Sequence, residues 1–167
     1  MTLTVSKVAL YISEHELTVC TAESCTAGLI ASLLAEVEGC GDWFEGGFVA
    51  YSPNAKGKLL GVSEETINFH GLTSEPVARE MAIGALKYGT ARAALSNTGL
   101  AGPAPDGENL PAGTQCFAWA FSRPDGIRVY SETRVFSGDR NQIREAAALY
   151  VIVRLPDYHR QSCTSNR

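Results

Sequence analysis

"TAESCTAGLIASLL", Thr21 to Leu34, ends one apolar run and begins another with a different period. Upstream, "LTVCTA" (17–22) reads as a short β run. Downstream, Leu29, Ile30, Leu33, Leu34 and Val37 recur at helical spacing, and Gly39 with Gly41 supplies the stop signals. A strand, a tight turn and a helix follow one another here, which is how an α/β unit starts. Ser24 stands at the turn, so its hydroxyl is expected among unpaired backbone N–H groups at a positive helix end, a place that stabilises an anion. The plainer reading is a helix N-cap, a role that serine favours. The surrounding residues add to the functional reading: Glu23 before it, Thr26 behind it, and Gly28 where a small residue lets backbone or ligand come close.

Before the strand, Val5, Val8, Ala9 and Ile12 mark a helix within Thr4 to Glu16. After the helix, "GGFVAYS" (46–52) reads as a buried strand opened by Gly46 and Gly47, and "NAKGKLLG" (54–61) as a short helix ending at Gly61. Ser63 caps another short helix to about His70. Ser74, with Glu75 and Pro76 in the first turn, opens a longer one through Tyr88. "ARAALSNTG" (91–99) is a strand running into the glycine- and proline-rich loop from Gly99 to Gly113. "TQCFAWAFS" (114–122) and "RVYSETRVF" (128–136) flank "RPDG", which has hairpin chemistry. Asp139 caps the last helix, where Ile143, Ala147, Tyr150, Val151 and Arg154 mix core and surface roles. Helices alternate with strands early and a hairpin comes late, so the expected fold is a mixed sheet covered by helices on both faces.

Composition sets the class. The chain has 167 residues, 45% of them apolar and 19% charged, as in a globular domain able to bury a core without disulfides. One domain over 1–160 is expected, with 161–167 a disordered polar tail. The net charge of -4 is spread out with no lysine or arginine run, so nucleic acid is not an expected partner. The 5 cysteines, Cys20, Cys25, Cys40, Cys116 and Cys163, show neither CxxC pairs nor zinc spacing. Reduced thiols in a cytoplasmic protein without a metal fit that pattern. No basic leader precedes a long apolar run, and no stretch approaches the roughly 20 apolar residues of a membrane span.

Cys25 sits where a thiol can become nucleophilic, yet none of His15, His70 or His159 is placed by sequence beside it, and a buried inert thiol is the expected state. With no histidine as base, lysine and tyrosine remain, and "FVAYSPNAKGKLLG" (48–61) supplies Tyr51 and Lys56, with Lys58 as a decoy. An ammonium near a phenol favours the phenolate, and a desolvated lysine can itself lose its proton near neutral pH. Either could take the proton of a serine hydroxyl. The loop after the third strand is long, and Gly99 and Gly102 can turn N–H groups towards an anion, with Thr98 adding a hydroxyl. Arg140 and Arg144, one turn apart, could meet a phosphate or carboxylate.

Taken in order, "TAESCTAGLIASLL", "GGFVAYSPNAKGKLLGV", "TSEPVAREMAIGAL", "NTGLAGP", "PAGTQCFAWA" and "GDRNQIREAA" resemble the C-terminal domain of the competence/damage-inducible protein CinA. Stand-alone members of that family are nicotinamide-nucleotide amidohydrolases. The resemblance covers most of Leu17 to Leu155 and implies a three-layer α/β/α sandwich. It also implies hydrolysis of the carboxamide of nicotinamide mononucleotide to nicotinic acid mononucleotide and ammonia. The family's serine falls on Ser24, its tyrosine on Tyr51 and its lysine on Lys56. No cofactor or metal is implied, and a homodimer or higher homo-oligomer is.

Two departures stand out. Where the family has two glycines after "ESCT", this chain has Ala27 then Gly28, which places a methyl near the pocket floor. Where the family has "EKPVGT", this chain reads "NLPAGT", with Leu110 replacing the lysine. The expected mechanism is a serine acyl-enzyme. Ser24 attacks, Tyr51 or Lys56 takes the proton, and N–H groups around Cys25 and Thr26 hold the oxyanion at about 3 kcal/mol per donor. The loop residues Thr98, Gly99, Ala101 and Gly102, with an arginine, meet the phosphate. The rival readings are a silent nucleotide-binding member and a serine amidase for another small amide.

Overall fold

The computed structural model describes residues 4–103 and 109–164. Helix α1 (Val5–Glu14) leads into strand β1 (Val19–Glu23), then helix α2 (Leu29–Ala35), a 3-10 turn (Cys40–Asp42) and strand β2 (Phe44–Val49). Helices α3 (Pro53–Leu60), α4 (Glu64–His70) and α5 (Glu75–Tyr88) precede strands β3 (Ala93–Gly99), β4 (Thr114–Arg123) and β5 (Gly126–Val135), and helix α6 (Arg140–Cys163) closes the fold. The 5-stranded sheet has the order β2-β1-β3-β4-β5. β1 runs parallel to both β2 and β3, while the later pairs are antiparallel, giving the mixed α/β sheet.

Alternation along the strands divides the core by side-chain size. Phe117, Trp119 and Phe121 point into the layer of α1, α2 and α6, packing with Ile12, Leu34, Val151 and Leu155. Cys116, Ala118 and Ala120 face the other way, against Val77, Ala78, Met81 and Ala82 of α5. The small residues let α5 lie close to the sheet, and Gly84 has no room for a side chain because a Cβ there would collide with the Leu60 carbonyl. Trp119, fully buried, satisfies its indole N–H on the Val151 carbonyl at 2.8 Å.

Two boundaries differ from the expectation. β2 starts at Phe44, two residues before the expected glycines, and the register slips between Val19 and Cys20 where Gly46 adopts φ +143. Gly47 is there because a Cβ would strike the Thr21 hydroxyl on β1. At the far end, α6 continues through Gln161 to Cys163, with Ser162 1% exposed, so the expected loose tail does not begin at Gln161. The polar residues there are a helix end tied down by two arginines. Arg123 donates to Ser162 Oγ and the His159 carbonyl, and Arg128 to the carbonyls of Ser162 and Thr164. Residues 165–167 lie outside the described residues.

The topology selects one end of the parallel strands for chemistry. The β1-to-β2 connection packs α2 on one face, and the β2-to-β3 connection packs α3 and α5 on the other. The chain therefore switches sides around β1. Crevices at the carboxyl ends of parallel strands next to such a switch are where α/β folds place ligands. Ser24 directly follows β1.

Candidate active site

Helix α2 begins at Leu29, so Ser24 is not its cap and its hydroxyl does not lie on the helix N-terminus. Its N–H instead prolongs the β1–β3 ladder by donating to the Asn97 carbonyl at 3.0 Å. A turn from Cys25 to Gly28 intervenes, with Ala27 at φ +49 and Gly28 at φ +96. The positive helix end belongs to the chain's own carboxylate. Glu23, fully buried, accepts from the N–H groups of Gly28, Ile30 and Ala31 at 2.8, 3.0 and 2.9 Å, and from the hydroxyls of Thr21 and Thr26. Glu23 and Thr26 thus shape the turn. The expected free N–H groups for a ligand are occupied.

Ser24 has a different partner. Helix α3, capped by Ser52 and entered through Pro53, carries Lys56 inward until only 1% of it is exposed. Its Nζ donates to Ser24 Oγ at 2.7 Å and to the carbonyls of Ala50 and Tyr51 at 3.0 and 2.8 Å. Burial, with no carboxylate partner among the described residues, lowers its pKa to about 8. An unprotonated amine keeps two N–H donors for the two carbonyls and turns its lone pair to the serine hydroxyl. That arrangement suits proton abstraction. Lys58 faces solvent.

The tyrosine is placed otherwise than expected. Tyr51 is 56% exposed, and its hydroxyl accepts from Arg140 Nη2 at 3.1 Å. Lys56 meets the Tyr51 backbone carbonyl rather than its phenol. Of the two bases left open by the sequence, the lysine is the one bonded to Ser24.

The remaining candidates divide between turn and loop. Arg144 donates to the carbonyls of Cys25 and Thr26 at 3.0 and 3.1 Å, so it clamps the nucleophile turn instead of facing a substrate. Burial raises the Cys25 thiol pKa despite the Gln115 amide, the charges of Arg140 and Arg144, and the Ala101 N–H, which keeps it an inert thiol. Thr26 N–H is spent on Asn97 Oδ1 at 3.2 Å. Among the described residues, the Cys25 N–H has no acceptor. Thr98 is buried and its hydroxyl donates to the Leu72 carbonyl, so it is not offered to an anion. The Leu100 N–H is engaged by the Thr114 carbonyl. That leaves Ala101 and Gly102, and not a full nest, on the described part of the loop; residues 104–108 lie outside it.

The two departures also fall into place. Ala27 is exposed, so its methyl is at the surface and not on a pocket floor. Leu110 lines a cavity of about 340 Å³ with His70, Gly71, Thr73 and Asn109. A roomier hollow, about 550 Å³, lies between α3 and α4 beside Lys58 and away from Ser24. Among the described residues no cluster of His, Cys, Asp or Glu is gathered for a metal ion, and no helix is long and apolar enough to cross a membrane.

Two residues of the site were missed from the sequence: Asn97 and Gln115, both fully buried on β3 and β4. Their signal was polarity inside the otherwise apolar strands "AALSNTG" and "TQCFAWAF", since a buried amide needs partners.

Known proteins resemble this chain in sequence and in fold. The chain is 48% identical over 135 residues to nicotinamide-nucleotide amidohydrolase PncC of Escherichia coli K12, covering 81% of this chain and 80% of that protein. It is 47% identical over 149 residues to a CinA-like protein of Chlorobaculum tepidum, covering 86% of this chain and 35% of that one. The crystal structure of an E. coli CinA superfamily protein superposes with a TM-score of 0.86 at 30% identity, covering 95% of this chain and 94% of the other. The Klebsiella pneumoniae 700603 superfamily protein gives 0.87 at 30% identity, over 94% and 96%. The family model of the CinA C-terminal domain matches residues 2–158, and the chain belongs to that family.

Proposed function

We propose that the protein hydrolyses the carboxamide of nicotinamide mononucleotide, as the name of its amidohydrolase relative suggests, with Ser24 as nucleophile and Lys56 as base. The observation that carries this reading is the 2.7 Å bond between Lys56 Nζ and Ser24 Oγ. Lys56 takes the hydroxyl proton as Oγ bonds to the carboxamide carbon, and the Cys25 N–H receives the oxyanion. The carbon–nitrogen bond then breaks as Lys56 returns the proton to the departing ammonia. Water, activated by the same amine, releases nicotinic acid mononucleotide from the Ser24 ester. Arg140 and Tyr51, joined at the surface, are suited to the phosphate, and Gly102 adds an N–H. A homo-oligomer, a cytoplasmic location and a role in pyridine nucleotide salvage belong to the same proposal.

Ammonia release from nicotinamide mononucleotide, with and without hydroxylamine, tests it. Expected are turnover by the parent, none by Ser24→Ala, and a hydroxamate in place of acid when hydroxylamine intercepts the ester. Nucleotide binding with no ammonia would mark a silent member; faster turnover of a non-nucleotide amide would mark a different amidase.

A further inference from the structure

Asn97 and Gln115 are fully buried on adjacent strands and touch neither Lys56 nor the Ser24 hydroxyl. Resting on the reading of Ser24 as nucleophile, we propose that they are a positioning pair that sets the Ser24–Thr26 turn and couples it to the Leu100–Gly102 loop. The Asn97 carbonyl accepts from Ser24 N–H and its Oδ1 from Thr26 N–H. Both neighbours of Cys25 are therefore pinned, and the Cys25 N–H between them is left for the oxyanion.

The amide orientations follow from their partners. Since Oδ1 meets a donor, Asn97 Nδ2 must face an acceptor, and it donates to Gln115 Oε1 at 2.9 Å. Gln115 Nε2 is thereby directed to the Leu100 carbonyl at 3.0 Å and the Cys25 sulfur at 3.5 Å. One rigid chain of amides thus joins nucleophile turn and loop. Gly99 completes it, because a Cβ there would collide with the Gln115 amide. The lack of a side chain at Gly99 serves the positioning pair. Displacing a reacting group by about 1 Å costs on the order of 100-fold in rate, so the pair matters to kcat without touching substrate.

Gln115→Glu separates positioning from mere folding through its pH profile. A protonated carboxyl there can still donate to the Leu100 carbonyl and accept from Asn97; an ionised one has no donor. Two rates are compared between about pH 6 and pH 9: ammonia release from nicotinamide mononucleotide, and phosphorylation of Ser24 by diisopropyl fluorophosphate, a neutral reagent that needs no nucleotide site and loses fluoride. The parent is expected to speed up with pH. The variant is expected to match it in acid and to fall behind by about 100-fold in base. Gly99→Ala, which displaces the amide without altering it, should lower kcat and leave KM for the mononucleotide nearly unchanged. A Gln115→Glu profile parallel to the parent's throughout, or a Gly99→Ala defect confined to KM, overturns the pair. A parent phosphorylated by that reagent no faster than Ser24→Ala overturns the nucleophile itself, and the role of the pair with it.

Discussion

Lys56 and Glu132 are both charged groups taken largely out of water, and the fold treats them in opposite ways. Burial alone would raise the carboxyl of Glu132. It is instead held down to about 2 by bonds from Tyr150, Tyr158, Arg154 and Arg134. Among the described residues Lys56 has two carbonyls and a hydroxyl but no carboxylate, and burial brings it down to about 8. A charge given opposite charges stays ionised and ties β5 to α6. A charge refused them is ready to give up its proton. Position along the fold matches: Glu132 lies on the edge strand, and Lys56 reaches the crevice beside the β1 switch point.

The largest effects should come from the uncompensated side of this contrast. Ser24→Ala is expected to lose on the order of 1,000-fold or more in ammonia release, and Lys56→Ala about 100-fold or more. Steady-state assays on folded variants check both. Equal activity in Lys56→Ala and parent would remove the lysine as base. Next comes giving Lys56 the partner it lacks. Cys25→Asp, placed near Arg140 and Arg144 as well, should hold the ammonium charged and move the ascending limb of the rate profile up by about one unit. An unmoved limb would show that something other than Lys56 titrates.

On the compensated side the change should appear in stability and not in turnover. Glu132→Gln is expected to cost about 1–3 kcal/mol in denaturant unfolding at neutral pH while ammonia release stays at the parent's level. The sign with pH follows from a folded value near 2 against an ordinary 4.5. The contribution is whole above about 4.5 and is lost as pH falls towards 2, so the variant should show a shallower acid decline. The smallest effect concerns backbone. Ala27→Gly relieves a left-handed alanine at φ +49 and should raise stability by about 0.5–1 kcal/mol, with no change in KM because the methyl is at the surface.

Sheet and layers were legible because strand alternation and helix period are local signals. Ser63, Ser74 and Asp139 cap the helices that their positions announced. The sequence reading also singled out Ser24 and Lys56, 32 residues apart and bonded in the fold. What was not legible depends on tertiary pairing. Nothing local says that Glu23 would fill the helix end, that Tyr51 would turn to Arg140, or that Arg144 would grip the turn's carbonyls. The α6 terminus was misread for a similar reason, since its polar residues count as tail until Arg123 and Arg128 meet them. Asn97 and Gln115 carried only the general signal of buried polarity, and their partners are set by β3–β4 register.

The most direct test of the account is the proton affinity of Lys56 itself. The chain has few lysines, Lys7, Lys56, Lys58 and Lys87, so labelling their ε-carbons gives a simple spectrum to titrate by NMR, assigned with Lys56→Ala. One resonance is expected to titrate near 8 and to vanish in that variant. Titration of all four above about 10, the ordinary range for lysine, would contradict the claim that this fold makes a base by burying an amine without a counter-charge.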